Sequence, residues 1–311
     1  MIFAITPNIS IDKTYAIDGF HIDNIHRPKD VNTVAGGKGI NVARVYRTLG
    51  GEAIAGGFIG GKSGAVIVAM LDDEGIPHQF VDVIEDSRFC IKVMDKQTGT
   101  QTEINEPGPE ISSVELQLML DSVERQCDQC EIVAMCGSCP PGVPYSFYGD
   151  IIDIVRKKCR KSLLDASGEH LAQAVKHSPD IVKPNQYELA HILGRPVNNL
   201  QEAIAGALEV AHDFGIGIVV VTLGKDGCIA TDGKAVWKAT SPVIKLASAV
   251  GSGDSFAAGL LYSLNTGKAL KDAIRLATAA GSANAATYGA GFCSQCSIME
   301  LLDAVIVSEL S

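Results

Sequence analysis

Short apolar runs alternate with amphipathic stretches along almost the whole chain, and this pattern limits the possible folds more than any other feature. Apolar runs occupy 2–6, 53–59, 132–136, 162–165 and 218–222. Amphipathic stretches lie near 39–49, 64–74, 113–126, 146–159, 201–214, 254–265 and 269–286. Strand-length apolar runs separated by helix-length segments predict a mostly parallel sheet with helices on both faces, an α/β fold in three layers. Ligands of such sheets bind beyond the carboxyl ends of the strands. One region breaks the alternation. Residues 88–95 and 101–106 read as a hairpin turning near Thr98-Gly99-Thr100, and 12–17 and 31–35 are short and extended. These segments predict a small second sheet, a lid formed from about 10–35 and 87–106, on a single domain spanning 1–311. A lid over a group-transfer site excludes water that would compete as acceptor.

A chain of 311 residues can bury a sizeable core. Its net charge of −10 argues against broad nucleic-acid binding, which needs a basic footprint. No apolar run approaches the roughly 20 residues that span a bilayer. Met1–Thr6 reads as a first strand and not as a signal peptide, so a cytoplasmic protein with reduced thiols is expected. Cys127/Cys130, Cys136/Cys139 and Cys293/Cys296 have C-x-x-C spacing. Their placement at helix and strand ends, with the third pair far away in sequence, fits small buried side chains better than a metal or redox centre.

Chemistry concentrates in Gly251-Ser252-Gly253-Asp254, immediately before an apolar helical face at Phe256, Leu260, Leu261 and Leu264. Glycines at a helix start aim unpaired N–H groups at whatever lies in front, and the helix dipole favours an anion there. Asp254 can take a proton from an attacking hydroxyl while the N–H groups stabilise charge on phosphate. Alone, the stretch is equally a helix start with an acidic first turn. Ala35-Gly36-Gly37-Lys38-Gly39-Ile40-Asn41 offers close backbone approach, a cation at Lys38 and an amide at Asn41 for a hydroxyl. Asp12 can hold substrate hydroxyls or serve as a turn residue. Arg88, at the start of a lid strand, can grip a phosphate with two parallel hydrogen bonds or be a solvated charge, and Arg27 can share either role. Ser138 lies in a rigid polar loop after the strand at 132–136.

Asn185 and Glu188, after Lys183-Pro184, have capping-box spacing. The same spacing places an amide and a carboxylate where they can hold the waters of a Mg²⁺–phosphate complex. Thr222-Leu223-Gly224-Lys225-Asp226-Gly227 ends a strand and enters a hairpin, and Thr222 and its glycines can contact a nucleotide. A competing signal is Gly56–Ser63, which satisfies G-x-x-x-x-G-K-[ST] with Lys62 as its cation. That reading would take Asp165 as the partner carboxylate and leave Gly251–Asp254 without a task.

Together these motifs resemble the ribokinase-like carbohydrate kinases of the phosphofructokinase-B family, from Thr6-Pro7-Asn8 to Gly289-Ala290-Gly291. The resemblance implies a ribokinase-like fold with a β lid that often joins two subunits, hence a homodimer. It implies ATP and Mg²⁺ as cofactors, Asp254 as catalytic base and Gly251, Ser252 and Gly253 as the anion hole. Asn185 and Glu188 would organise Mg²⁺, and Lys183, Asn185, Thr222, Gly224, Gly227, Ser282 and Asn284 would serve the nucleotide. Asp12, Gly37, Lys38, Gly39, Asn41, Arg88, Ser138 and the segment Thr102–Pro109 are most similar to kinases of phosphorylated ketohexoses, the 1-phosphofructokinases and tagatose-6-phosphate kinases. Some relatives bind a monovalent cation where Ser248 and Val250 lie. The expected reaction moves the γ-phosphoryl of ATP to a ketohexose monophosphate. Kinases of unphosphorylated sugars or nucleosides, and a non-catalytic sugar-phosphate sensor, are the alternatives on the same fold.

Overall fold

Ile2 and Ala4 pack into one hydrophobic cluster, while Phe3 and Ile5 pack into another. A strand that buries successive side chains on opposite faces has helices above and below it. The structure, a computed structural model, describes residues 1–310. The chain begins with β1 (Ile2–Asn8), β2 (Ser10–Ile17), β3 (Asp30–Gly36), α1 (Lys38–Thr48), β4 (Ala53–Gly60), α2 (Gly61–Asp73), β5 (His78–Val83), β6 (Arg88–Asp95) and β7 (Gln101–Asn105). It continues through α3 (Ser113–Gln126), β8 (Ile132–Cys136), α4 (Phe147–Lys157), β9 (Lys161–Asp165), α5 (Gly168–Ala174), β10 (Ile181–Val182), α6 (Gln186–Leu193) and α7 (Leu200–Asp213). The last third holds β11 (Ile218–Thr222), β12 (Cys228–Thr231), β13 (Val236–Thr240), α8 (Ser252–Asn265), α9 (Leu270–Ala285), α10 (Gln295–Leu302) and β14 (Ile306–Leu310).

Ten strands form the central sheet in the order β14-β13-β12-β11-β10-β9-β8-β1-β4-β5. Pairing is parallel from β5 to β11 and antiparallel from β11 to β14. Helices α1, α2, α8, α9 and α10 contribute to the core on one face, and α3 to α7 to that on the other. This is the three-layer, mostly parallel architecture of a ribokinase-like fold. The antiparallel strands β13 and β14 extend the sheet beyond what the alternating pattern indicates, and β10 is only two residues long.

The second sheet has the order β3-β2-β6-β7, with β2 and β6 parallel and the other two pairs antiparallel. In register, Asp12 lies opposite Cys90 and Lys92 opposite Glu103. The period-two pleat therefore puts Ser10, Asp12, Arg88, Cys90, Lys92 and Glu103 on one polar face, and that face lines a cleft. At the β6–β7 turn, burial pushes the Asp95 carboxyl upward. Hydrogen bonds from the Gln97 N–H, the Thr98 hydroxyl and the Gly19 N–H outweigh it and hold Asp95 down at about 2.

Candidate active site

The carboxyl ends of β1, β8, β9, β10 and β11 open into one cleft of about 440 Å³, roofed by the polar face of the small sheet. Asp12, Gly37, Lys38, Asn41, Arg88 and Ser138 line it. So do Lys183, Asn185, Glu188, Gly251, Gly253 and Asp254. A second cleft, about 830 Å³, adjoins it through Thr222 and Gly253 and includes Gly224, Gly227, Ser252 and Ser282. Its walls are apolar at Val243, Ile244, Leu246 and Phe256, and Val243 and Leu246 are left exposed. Three sequence-predicted residues, Gly39, Asn284 and Arg27, line neither cleft. Gly39 packs on β1, where a Cβ would stand 2.7 Å from the Ile5 carbonyl oxygen. Asn284 is fully buried and works as a brace: its Nδ2 donates to the Val250 carbonyl at 2.8 Å, and its Oδ1 accepts from the Gly291 N–H at 2.7 Å. Arg27 is exposed and lines neither cleft.

Asp254 lies in the first turn of α8, whose N-cap is Gly251. Gly251 has φ 80°, a left-handed conformation, and a Cβ there would come within 2.6 Å of the Ala290 Cβ. Only glycine satisfies both conditions without strain. The leading N–H groups of α8 lack intrahelical acceptors; Ser252 N–H reaches the Ala249 carbonyl at 3.3 Å, and Gly253 lines both clefts. Asp254 is buried and accepts a hydrogen bond from Asn41 Nδ2 at 2.8 Å. Burial lifts its carboxyl above the usual carboxylate range, against the pull of Lys38 and with help from the charge on Asp165.

Asp165, at the end of β9, joins two cations. Lys38 Nζ lies 3.1 Å from its Oδ1 and Lys183 Nζ 2.9 Å from its Oδ2. Burial pushes Asp165 upward, but Lys183 and Lys38 outweigh burial and hold it below the ordinary range. Lys38 is in turn pushed above the usual lysine range, chiefly by Asp165. Sequence reasoning considered Asp165 only as the partner of a P-loop. It also overlooked Lys92, whose Nζ lies 2.8 Å from Asp12 Oδ2, while the Ser10 hydroxyl donates to Asp12 Oδ1 at 2.6 Å. The alternation Arg88, Cys90, Lys92 along one strand face is the signal that could have found it.

The guanidinium of Arg88 is more occupied than the sequence suggests. Its Nη1 donates to the Glu106 carbonyl at 3.0 Å and its Nη2 to the Asn8 carbonyl at 3.2 Å. It thus fastens the lid to the end of β1, while its Nε is buried without a partner. The P-loop alternative fails on geometry. The start of α2 holds the chain's own carboxylate: Asp86 Oδ1 accepts from the Ser63 N–H at 3.3 Å, and a Cβ on Gly61 would stand 1.9 Å from that oxygen. A phosphate would have to displace Asp86, and Lys62 is exposed and lines neither cleft.

Asn185 and Glu188 form the full capping box of α6. Asn185 Oδ1 accepts from the Tyr187 and Glu188 N–H groups at 2.9 Å each, and Glu188 Oε2 accepts from the Asn185 N–H at 2.8 Å. Both residues also line the cleft, and one Glu188 oxygen remains outside the box. Among the described residues no three His, Cys, Asp or Glu side chains converge as a metal cage. The donor set fits a Mg²⁺ that keeps its waters and is carried on phosphates. All nine cysteines are free thiols, Cys127 and Cys130 within the core.

The pattern that defines the pfkB family carbohydrate kinases matches residues 6–296. A Staphylococcus aureus structure assigned provisionally as a phosphofructokinase is 33% identical, with 100% of this chain and 99% of that chain covered and a TM-score of 0.83. Phosphofructokinase-2 from Escherichia coli, solved in complex with potassium, is 28% identical, with 97% and 98% covered and a TM-score of 0.91. A Thermotoga maritima protein assigned provisionally as a 1-phosphofructokinase shares the fold at 23% identity, with both chains covered in full and a TM-score of 0.91. The chain therefore belongs to the pfkB family of carbohydrate kinases and is a phosphotransferase.

Proposed function

We propose that this kinase transfers the γ-phosphoryl of ATP to a primary hydroxyl of a ketohexose monophosphate, giving a bisphosphate. The observation that carries the reading is the position of Asp254. A buried carboxylate with a raised proton affinity stands in the first turn of α8 and lines the cationic cleft, next to Gly253, the helix-start residue that this cleft shares with the apolar one. The sugar phosphate enters the cleft under the lid, where Lys38 and the charge of Arg88 meet its phosphate and Asp12 and Asn41 orient hydroxyls. ATP lies across the second cleft, its base against Val243, Leu246 and Phe256 and its phosphates toward Lys183 and Gly253. A Cβ on Gly253 would come 3.7 Å from Lys183 Nζ, so the ammonium already faces the helix start. Asp254 takes the proton of the attacking hydroxyl, and the α8 amides stabilise the charge of the transferring group. Asn185 and Glu188, which line the cleft, would hold the waters of a Mg²⁺, which when bound would supply neutralisation of phosphate charge. The escherichial relative, solved in complex with fructose 6-phosphate, supports a phosphorylated ketose as the substrate class.

The whole chain works as one α/β domain, with its lid built from 10–36 and 88–105. The face of the lid opposite the cleft leaves Val31, Phe89 and Ile104 exposed, which favours pairing of two lids in a homodimer. Among the described residues no helix is long and apolar enough to cross a membrane.

The test is ADP release with Mg·ATP against fructose 1-phosphate, fructose 6-phosphate, tagatose 6-phosphate, fructose and ribose. High kcat/KM is expected for one phosphorylated ketose. Turnover confined to the unphosphorylated compounds would overturn the substrate class and the role given to Arg88. A second expectation concerns the anion hole. Gly251→Ala forces a Cβ into Ala290 and strains a left-handed residue. Displacing one donor of such a hole costs roughly 10²–10³ in kcat. Steady-state kinetics beside a melting curve measure this, and a kcat within a few-fold of wild type in a folded variant would remove Gly251 from the hole.

A further inference from the structure

Arg44 lies three residues after Asn41 on α1, lines neither cleft and is 6% exposed. Its guanidinium is surrounded. Nε and Nη2 donate to the two Glu74 carboxylate oxygens at 2.6 and 3.1 Å. Nη1 donates to Asn41 Oδ1 at 2.8 Å and to the Ala290 carbonyl at 3.2 Å, and Nη2 donates to the Ala35 carbonyl at 3.1 Å. The Phe292 ring stacks 4.4 Å away. Each acceptor belongs to a different element; two of them adjoin the reacting centre, and a third lies beside the lid residue Asp12. Asn41 donates to Asp254. Ala290 packs on Gly251, the N-cap of α8. Ala35 precedes Gly36, where a Cβ would stand 2.2 Å from Asp12 Oδ1.

We infer that Arg44 is a positioning residue for the phosphoryl-transfer step: it fixes the orientation of the Asn41 amide, and so the hydrogen bond on Asp254, and ties the end of lid strand β3 to the loop that packs on Gly251. The physical reason is the inventory of donors. An asparagine amide has nearly the same shape in either orientation, and only its neighbours choose between them. Guanidinium carries donors and no acceptor, so a flipped amide would set its NH₂ against Nη1 and its oxygen against the Asp254 carboxylate. Both contacts repel. With Arg44 in place, Nδ2 must face Asp254. Glu74 balances the charge of Arg44, so the residue acts on the base through Asn41 and not by its field.

The inference rests on the reading of Asp254 as the base, and two readouts keep the two apart. Arg44→Lys retains the charge opposite Glu74, but a single ammonium cannot serve acceptors placed around a planar fork. We expect kcat to fall about 10- to 100-fold with KM for ATP changed less than about threefold. In an Asn41→Ala background the same substitution should change kcat less than about threefold, because residues acting through one another are not additive. Glu74→Gln, which weakens the ion pair and leaves the fork, should lower the melting temperature and keep kcat near wild type. Side-chain amide exchange of Asn41 in ¹H–¹⁵N spectra needs no substrate: it should be protected in wild type and lose protection in Arg44→Lys. Additive losses in the cycle, an equal loss of kcat in Glu74→Gln, or unchanged amide protection would each overturn the positioning role. If Asp254→Asn retains turnover, the base reading falls, and amide protection alone then decides whether Arg44 orients Asn41.

Discussion

Asp254→Asn is expected to lose roughly 10²–10⁴ in kcat, the usual contribution of a positioned general base, while KM for ATP and sugar changes little. The substitution is nearly isosteric. Asn41 Nδ2, 2.8 Å from Asp254 Oδ2, keeps an acceptor when the amide is suitably turned, so the geometry around the substrate persists. Only the capacity to take a proton is lost. The same carboxylate sets the acid limb of the pH profile. Burial raises its proton affinity above that of an ordinary aspartate, so kcat/KM should fall with decreasing pH at a higher pH than an ordinary aspartate would give. The sign for stability runs the opposite way to that for activity. A carboxyl whose folded proton affinity is raised stabilises the fold most at low pH and loses that contribution as pH rises through its folded value. At neutral pH ionised Asp254 therefore opposes folding, and Asp254→Asn should melt no lower than wild type, and above it where burial dominates. Kinetics and thermal denaturation at pH 7 check both halves. Near-normal kcat would remove Asp254 as the base, and a large drop in melting temperature would contradict its burial against charge.

The parts of the site that could be read from sequence are those whose residues lie close together along the chain. The α8 start is local: glycine, serine, glycine and aspartate in succession define a helix entry, an anion site and a carboxylate within four residues. Asn185 and Glu188 are likewise local, because a capping box is a spacing. The lid hairpin was legible from turn residues between two β-type runs, and its polar face follows from a period of two. Arg44 was not legible. Every residue from Gly39 to Tyr46 is buried, so α1 has no solvent face from which to infer where its arginine points. Its partners Ala35, Glu74 and Ala290 come from β3, the end of α2 and a loop some 250 positions downstream, and only the assembled fold brings them together. Asn284, which the family resemblance assigns to the nucleotide, instead satisfies two backbone groups that the tight Gly289–Gly291 loop and the α8 entry leave buried, a task visible only in the assembled fold. The last strands escaped because β13 and β14 pair antiparallel at the sheet edge, and β14 is largely exposed, so its burial pattern is weak.

Asp165→Asn should fail in both respects, in stability and in turnover. The carboxylate is 1% exposed and neutralises two ammonium groups, one of which, Lys183, is itself 5% exposed at its side chain. An amide in its place leaves two like charges unpaired and close together, and breaking a buried pair by removing one partner costs about 3–5 kcal/mol. Turnover should fall as well, because Lys183 and Lys38 line the same cleft as Asp254 and would lose the carboxylate that holds them together. The depressed proton affinity of Asp165 fixes the pH window. A carboxyl held low in the fold contributes stability above its unfolded value, and that contribution is lost as pH falls through the folded one. The gap in stability between wild type and Asp165→Asn should therefore be full at neutral pH and close only in acid, below about 4. Denaturant melts at pH 7 and pH 3 measure the gap. Two carboxylates in one cleft, each changed to its amide, are thus expected to move stability in opposite directions, since one is neutralised by lysines and the other is held poised against burial. If both amide variants are destabilised alike at pH 7, the two residues are ordinary members of one buried charge cluster, and the division of labour between a structural carboxylate and a basic one is wrong.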